Sequence, residues 1–285
     1  MKFLEAAAPD FDLALTLDSG QTFHWESLGA GFLGTIGERA VYVEQSGNVL
    51  KISGAPAGMA TRYFALDHPL AEIRASFPKE PAMQSAAAFC RGLRIMRQPR
   101  WECLASFITS SMKQVAHIRQ ISQTLRSRFG EPQSLGEKTI HIYPTPARIA
   151  ALTEKELREC ALGYRARNLL ATARLIASGA VDLGQLAELP DDELRAQLCE
   201  LPGVGAKVAN CVMLFAYERL RAFPIDVWIE RALRQNYFPR RRKLTTGQLR
   251  DFAAQHFGAH GGYAQQYLFH HARKTTPRRL SPRAS

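Results

Sequence analysis

The chain has 285 residues, enough to bury a substantial core and to hold one large or two modest domains. Its 37 Lys and Arg against 26 Asp and Glu give a net charge of +11, which favours a polyanionic partner such as nucleic acid. No apolar run is long enough to span a bilayer, and the first residues, MKFLEAAAPDFDL, include acids where a signal peptide needs apolar residues. We therefore expect a cytoplasmic protein, nuclear if the source is a eukaryote, with no membrane partner.

Short segments with alternating or β-branched residues fill the first part of the chain, namely FDLALTL, FLGTIG, AVYVEQ and VLKIS. They predict an N-terminal antiparallel β-sheet domain over residues 1–80. Apolar residues at helical spacing then predict a mainly α-helical domain over residues 81–273, in which GEPQSLGEKTIHIY forms a loop or small hairpin before a helix starting in YPTPARIAALTEKEL. Residues 274–285 are basic, lack an apolar stripe and are predicted to be disordered. The fold class is thus α+β.

A glycine-rich turn joins two predicted helices, DDELRAQLCEL and AKVANCVMLFAY, which are separated only by PGVG. Gly203 and Gly205, on either side of Val204, allow a tight reversal that leads into the second helix. Free backbone N–H groups at that helix start attract a phosphate. The pattern predicts a phosphate-binding helix-hairpin-helix, although an ordinary helical hairpin explains PGVG alone equally well.

Two residues that follow the turn in the sequence are candidates for the catalytic chemistry. Lys207 lies in the first turn of the second helix, where the helix dipole disfavours a charged amine and so favours the neutral, nucleophilic form. Asp226 precedes the helix VWIERALRQNYF and is well placed as its N-cap, which by itself is the simpler explanation. A carboxylate held in this way is also rigid and kept ionised by the dipole. Together the two residues indicate a nucleophile beside a fixed negative charge.

LPGVGAKVANC followed by FPIDVW resembles the signature of the helix-hairpin-helix DNA glycosylases. Four further stretches resemble the 8-oxoguanine DNA glycosylase branch: SGQTFHW, WECLASFITSS, LGYRARNLL and GGYAQQYLF. They occur in the family's order and span nearly the whole chain. The resemblance implies that Lys207 attacks C1′ of a damaged nucleotide to form a Schiff base, with AP lyase activity, and that Asp226 supports the transition state. It implies a monomer bound to duplex DNA that contains a damaged base.

The same resemblance assigns a base pocket. An enzyme that attacks the sugar of a paired nucleotide must flip the base into a pocket. Gln265 and Phe269 are four residues apart and share a helix face, and the resemblance makes them the base-reading amide and the stacking ring. It makes Gly20 the carbonyl that senses N7–H of the lesion, and Cys211 a thiol packed against lysine and base. Spacing alone would make Phe269 and Cys211 core residues.

The resemblance also implies a wedge that opens the duplex. It assigns intercalation to Tyr164 and binding of the unpaired cytosine to Arg165. The chain departs from the family at three places: Met112, Lys113 and Gln114 replace a run of asparagines, His117 replaces a second cytosine-binding arginine, and Trp228 replaces a histidine. We expect a weaker cytosine preference from these changes, since Met112 offers no amide and His117 is largely neutral.

The five cysteines, Cys90, Cys103, Cys160, Cys199 and Cys211, show no paired spacing that predicts a disulfide framework or zinc site. Some related glycosylases carry an iron–sulfur cluster after the catalytic aspartate, but no cysteine follows Cys211. We expect no metal in the active site and no cofactor, apart from a monovalent or divalent cation that could bind the hairpin backbone.

Two alternative functions remain open. An alkylpurine DNA glycosylase on the same scaffold would need Asp226 but no catalytic lysine, so Lys207 argues against it. A noncatalytic helix-hairpin-helix module would bind phosphates through PGVG and would have no use for Asp226, Gln265 and Phe269 together.

Overall fold

The computed structural model describes residues 2–240 and 244–275. Its N-terminal part forms a five-stranded sheet with the order β1-β5-β4-β3-β2, and each neighbouring pair is antiparallel. The strands are β1 (Leu4–Ala7), β2 (Glu26–Leu28), β3 (Gly31–Ile36), β4 (Arg39–Ser46) and β5 (Val49–Ser53). Val43 pairs with Ile52 at the centre, and both are fully buried. The predicted N-terminal antiparallel sheet is confirmed.

The segment FDLALTL is a helix, so its prediction as a strand is wrong. It forms α1 (Leu13–Asp18), and Asp12 caps it by accepting a hydrogen bond from the Leu15 N–H at 2.8 Å. The buried residues Leu13, Thr16 and Leu17 follow the i, i+3, i+4 spacing of a helix. Two more short helices follow the sheet, α2 (Ala57–Tyr63) and α3 (Leu70–Ala75).

The rest of the described chain is mainly helical, as predicted. Its helices are α4 (Pro81–Phe89), α5 (Arg100–Ser110), α6 (Val115–Phe129), α7 (Pro146–Ala150), α8 (Glu154–Leu157), α9 (Arg165–Ala177), α10 (Asp191–Cys199), α11 (Ala206–Ala216), α12 (Val227–Tyr237), α13 (Thr246–His256) and α14 (Gly261–Thr275). A two-stranded hairpin, β6 (Pro132–Leu135) and β7 (Lys138–His141), follows α6. None of the described helices combines the length and apolar character needed to cross a membrane.

Two predicted boundaries differ from the structure. YPTPARIAALTEKEL contains two helices, α7 and α8, because Thr153 and Glu156 form a capping box that starts the second one. The last helix, α14, continues to Thr275, two residues beyond the predicted end of the helical domain. The predicted disorder of the remaining tail concerns residues 276–285, which lie outside the described residues.

The loop between α1 and β2 is attached to the helical part by the buried side chain of Gln21. Its amide nitrogen donates to the Arg94 carbonyl at 2.8 Å, and its amide oxygen accepts from the Met96 N–H at 2.8 Å. Arg94 and Met96 belong to the segment that connects α4 with α5. The sheet domain thereby presents the loop of residues 19–21 to the helices, where α14 also packs against α4.

Candidate active site

The helix-hairpin-helix turn connects α10 to α11. Gly203 has a φ of +83°, and a Cβ atom there would lie 2.8 Å from Cβ of Asn168, so both conformation and space require glycine. Val204 is buried, and its N–H donates to the Leu201 carbonyl at 3.0 Å. Gly205 is the N-cap of α11, and no neighbouring atom lies within 4 Å of where its Cβ would be. The helix start is therefore open to an approaching phosphate.

Lys207 lies half-buried in the first turn of α11. Its amine donates to Oγ of Ser110 at 3.4 Å and lies 5.0 Å from the ring centroid of Phe107. The Ser110 hydroxyl itself donates to the Phe107 carbonyl at 2.8 Å, so it faces the amine with its lone pairs. Both residues lie in the WECLASFITSS stretch of α5, but sequence spacing gave no signal for their contact with the lysine.

Asp226 is the N-cap of α12, as the sequence predicts. Its carboxylate accepts a hydrogen bond from the Ile229 N–H at 2.9 Å. Burial raises the pKa of Asp226 above its ordinary value, and the Ile229 N–H and the charge of Lys207 oppose that rise. The helix start thus favours the ionised form, as expected from the sequence, while desolvation acts in the opposite direction and is the larger effect on the pKa. The positive charge of Lys207 therefore acts electrostatically on the Asp226 carboxylate.

Cys211 lies one helical turn after Lys207 and is buried. Burial raises the pKa of its thiol to about 11, although the Lys207 charge opposes the rise. At neutral pH the thiol is therefore protonated. It forms a compact, weakly polar wall beside the amine.

A second group of predicted residues meets between the sheet domain and α14. Gly20 has a φ of +87°, and a Cβ atom there would lie 3.2 Å from Cε1 of Phe269. Gln265, one turn before Phe269, is buried, and its amide oxygen has no hydrogen-bond partner among the described residues. α14 packs on α12, so Gln265 and Phe269 lie on the helix next to the one that Asp226 caps. The Phe269 ring meets the Gly20 backbone, and the free amide acceptor lies one turn earlier on the same helix.

The predicted wedge residues Met112 and Tyr164 lie on two loops, and the side chain of Arg165, the first residue of α9, connects these loops. Met112 is 94% exposed with a φ of +54°, an uncommon conformation for a residue with a Cβ atom, and Tyr164 is 56% exposed. Arg165 is only 6% exposed: its guanidinium lies 4.3 Å from the Tyr164 ring centroid, and its Nε donates to the Ser111 carbonyl at 2.8 Å. Arg165 thereby connects the backbone next to Met112 with the Tyr164 ring, and it must rotate or share a donor to contact a base.

The other residues that depart from the family pattern flank these groups. His117 is exposed in the first turn of α6. Trp228 is half-buried in the first turn of α12, and the guanidinium of Arg231 lies 5.6 Å from its ring centroid. Its neighbour Val227 is 72% exposed. The start of α12 next to Asp226 is consequently more apolar than a histidine would make it.

Comparisons with known proteins agree with these motifs. Residues 3–104 match the family model of the 8-oxoguanine DNA glycosylase N-terminal domain, and residues 105–254 match that of the HhH-GPD superfamily base excision DNA repair proteins. The chain is 30% identical to N-glycosylase/DNA lyase OGG1 of Arabidopsis thaliana, covering 93% of this chain and 78% of that protein.

Solved structures give the same result. The structure of MBOgg1 in complex with a low-affinity DNA ligand has a TM-score of 0.91 and 32% identity, covering 96% of both chains. The apo-form of the Clostridium acetobutylicum 8-oxoguanine glycosylase/lyase has a TM-score of 0.88 and 29% identity, covering 95% of this chain and 96% of that one. The chain belongs to the HhH-GPD superfamily of base excision DNA repair proteins. Within it, the N-terminal domain places the chain in the 8-oxoguanine DNA glycosylase branch, which confirms the resemblance drawn from the five motifs.

Proposed function

We propose that this protein is a bifunctional DNA glycosylase and AP lyase that excises 8-oxoguanine from duplex DNA. The observation that carries the proposal is the half-buried amine of Lys207, which follows the open hairpin, donates to Ser110 at the end of α5 and acts electrostatically on the carboxylate of Asp226. An enzyme that only activates water has no need of an amine in this place. The relatives named N-glycosylase/DNA lyase and 8-oxoguanine glycosylase/lyase support the same function.

The reaction follows from the two groups. Lys207 reacts in its neutral form, after its ammonium has given up a proton to solvent: the amine forms a bond to C1′ as the bond from C1′ to N9 breaks, and the base leaves with that electron pair and takes up a proton. Ring opening of the sugar and loss of a proton from nitrogen give the Schiff base. Removal of a C2′ proton then expels the 3′ phosphate and cleaves the strand. The Asp226 carboxylate stabilises the positive charge that develops on the sugar.

Recognition uses the second group of residues. 8-Oxoguanine carries an N–H at N7, where guanine has only an acceptor, so the Gly20 carbonyl attracts the lesion and repels the normal base. The free amide oxygen of Gln265 can accept from the Watson–Crick edge, and Phe269 can stack on the base. A buried acceptor without a partner costs free energy, which a donor on the flipped base would recover.

We propose duplex DNA as the partner of a monomeric enzyme. The chemistry uses side chains of this chain, and no cofactor enters any step. A cation would bind carbonyls of the hairpin backbone, where the Pro202 carbonyl already accepts one hydrogen bond, from the Thr172 hydroxyl at 3.0 Å.

A panel of lesion duplexes tests the function. The protein should excise 8-oxoguanine and cleave that strand, and it should leave an alkylated purine and guanine intact, because neither offers an N7–H to the Gly20 carbonyl. Products are resolved on denaturing gels under single-turnover conditions. Release of the alkylated purine at a rate equal to or above that of 8-oxoguanine would support the alkylpurine alternative. Tight binding without any cleavage would support the noncatalytic module.

A second prediction concerns the base opposite the lesion. Wild-type protein should prefer cytosine only weakly, and Arg165→Ala should remove most of that preference, since a hydrogen bond from a charged group is worth about 1.5 to 3 kcal/mol, or roughly tenfold to over a hundredfold. Excision rates are compared with the lesion opposite C, A, G and T.

Arg167→Ala is the matched control, because Arg167 is an exposed arginine on the same helix. Its preference should equal that of wild type. The hypothesis fails if wild type is as strictly cytosine-dependent as its asparagine-bearing relatives, or if Arg165→Ala retains the wild-type preference.

A further inference from the structure

The loop that carries Gly20 is held by α14 through Gln266, the residue after the base-reading Gln265. The amide nitrogen of Gln266 donates to the Ser19 carbonyl at 2.9 Å. Gln266 is 2% exposed and Ser19 is fully buried, so water does not compete for this hydrogen bond. The bond joins residues 247 positions apart in the chain.

The other side of the same loop is also fixed. Ser19 Oγ donates to the Thr16 carbonyl at 2.7 Å and accepts from the Gln21 amide nitrogen at 2.9 Å. Gln21 in turn bonds to the backbone of the segment between α4 and α5, as described above. Ser19 and Gln21 therefore cannot move independently of the core. Between these two anchored residues, only the φ and ψ angles of Gly20 itself are left to vary.

Arg273 adds a second contact from α14. It follows Phe269 by one turn, its guanidinium lies 5.7 Å from the centroid of that ring, and Nη2 donates to the Asp18 carbonyl. The carbonyls of two consecutive residues before Gly20 thus accept from side chains of α14. One helix supplies both the groups that read the base and the groups that hold the opposite wall of the pocket.

We propose that Gln266 is a positioning residue for lesion discrimination, which acts by fixing the peptide plane between Ser19 and Gly20. The inference rests on the proposed function, in which the Gly20 carbonyl senses N7–H. A glycine at a φ of +87° has no Cβ atom to restrict its rotation, so its carbonyl direction must be fixed from outside. The Ser19 carbonyl and the Gly20 N–H share one planar peptide, so the bond from Gln266 fixes the plane on the N-terminal side of the Gly20 Cα atom. The Gly20 carbonyl lies in the next plane, which ends at the anchored Gln21, and its direction is defined relative to the plane that Gln266 holds. In this role Gln266 acts on the loop backbone and not directly on the base or the sugar.

The test is Gln266→Met, which keeps the length of the side chain and removes the donor. In a Lys207→Gln background, the binding preference for 8-oxoguanine over guanine duplexes should fall roughly five- to a hundredfold, because a buried carbonyl loses its donor. With Lys207 present, 8-oxoguanine excision should fall by a similar factor. Cleavage of a preformed abasic duplex, which contains no base to read, should stay within about twofold of wild type.

Gln123→Met is the matched control, since Gln123 is an exposed glutamine that bonds to Glu26 on the sheet domain. A wild-type preference in Gln266→Met would overturn the inference and leave the proposed function intact. An equal loss on the abasic duplex would overturn it as well, by showing general damage to the site. If wild type itself neither excises 8-oxoguanine nor prefers it, the proposed function fails together with the inference.

Gln266→Glu provides a second route that does not depend on the stability of the methionine variant. An ionised carboxylate repels the Ser19 carbonyl, whereas a protonated carboxyl can donate to it. The preference for 8-oxoguanine should therefore be poor at pH 7.5 and recover toward wild type at about pH 5.5, because burial raises the pKa of a carboxyl group. A pH-independent loss would contradict the positioning role.

Discussion

Lys207→Gln should abolish the covalent protein–DNA adduct that borohydride traps on an 8-oxoguanine duplex. Glutamine has no nucleophilic amine, so neither the bond to C1′ nor the reducible Schiff base can form. Its side chain is one atom shorter than that of lysine and remains polar, and Lys207 is only half-buried, so the fold and the hairpin should be retained. The adduct is measured on denaturing gels, and duplex binding by a mobility shift.

Lys155→Gln is the matched control, because Lys155 is an exposed lysine on α8. It should form the adduct as efficiently as wild type. An undiminished adduct in Lys207→Gln would refute the assignment of the nucleophile. Loss of the adduct together with loss of DNA binding would instead place Lys207 in phosphate binding.

Asp226→Asn should lower the excision rate by at least about a hundredfold while DNA binding changes little. The variant removes the negative charge that stabilises the developing positive charge on the sugar. Asparagine caps a helix as well as aspartate does, so the hydrogen bond to the Ile229 N–H can be retained. Single-turnover excision and equilibrium binding are compared with wild type. A loss of binding equal to the loss of rate would show that Asp226 is structural.

The same variant has a predicted effect on stability. Because burial raises the pKa of Asp226 in the folded state, protonation stabilises the native protein, and that contribution is complete below the unfolded pKa near 3.8. It is lost as the pH rises through the folded pKa. The asparagine side chain is neutral at every pH, so Asp226→Asn should gain stability relative to wild type between acidic and neutral pH. Denaturant unfolding at several pH values measures the difference.

Local sequence predicted the elements that carry catalysis. The turn residues in PGVG and the apolar spacing on either side placed the hairpin, and the position of Asp226 directly before VWIERALRQNYF placed the cap of α12, because these features depend on neighbouring residues. The prediction for FDLALTL was wrong because this segment is short. Its alternation fits a strand as well as its i, i+3, i+4 spacing fits a helix, and the Asp12 cap, which bonds to the Leu15 N–H, is found at the start of the helix.

Long-range contacts could not be predicted in this way. The bond from Gln266 to Ser19 joins distant residues, and nothing in either segment indicates the other. Arg165 follows the exposed Tyr164 at the start of α9, so the sequence suggests an exposed side chain. Its guanidinium is instead buried against the Ser111 carbonyl, because two segments far apart in sequence meet there. The roles of Gly20 and Gln265 were predicted only from the resemblance to the family, because local spacing and residue type do not indicate that their two segments meet.

The distance in sequence between the two walls of the base pocket has a consequence for biosynthesis. Residues 19–21 emerge early from the ribosome, Lys207 and Asp226 much later, and α14 last of these. A nascent chain that has completed α12 possesses its nucleophile and its carboxylate but no complete base reader. Discrimination therefore requires α14, which is made after the nucleophile and docks onto a glycine made more than two hundred residues earlier. Because Tyr263 and Tyr267 of α14 are fully buried in the same core as α11, the helix that completes the base reader also completes the core around the nucleophile.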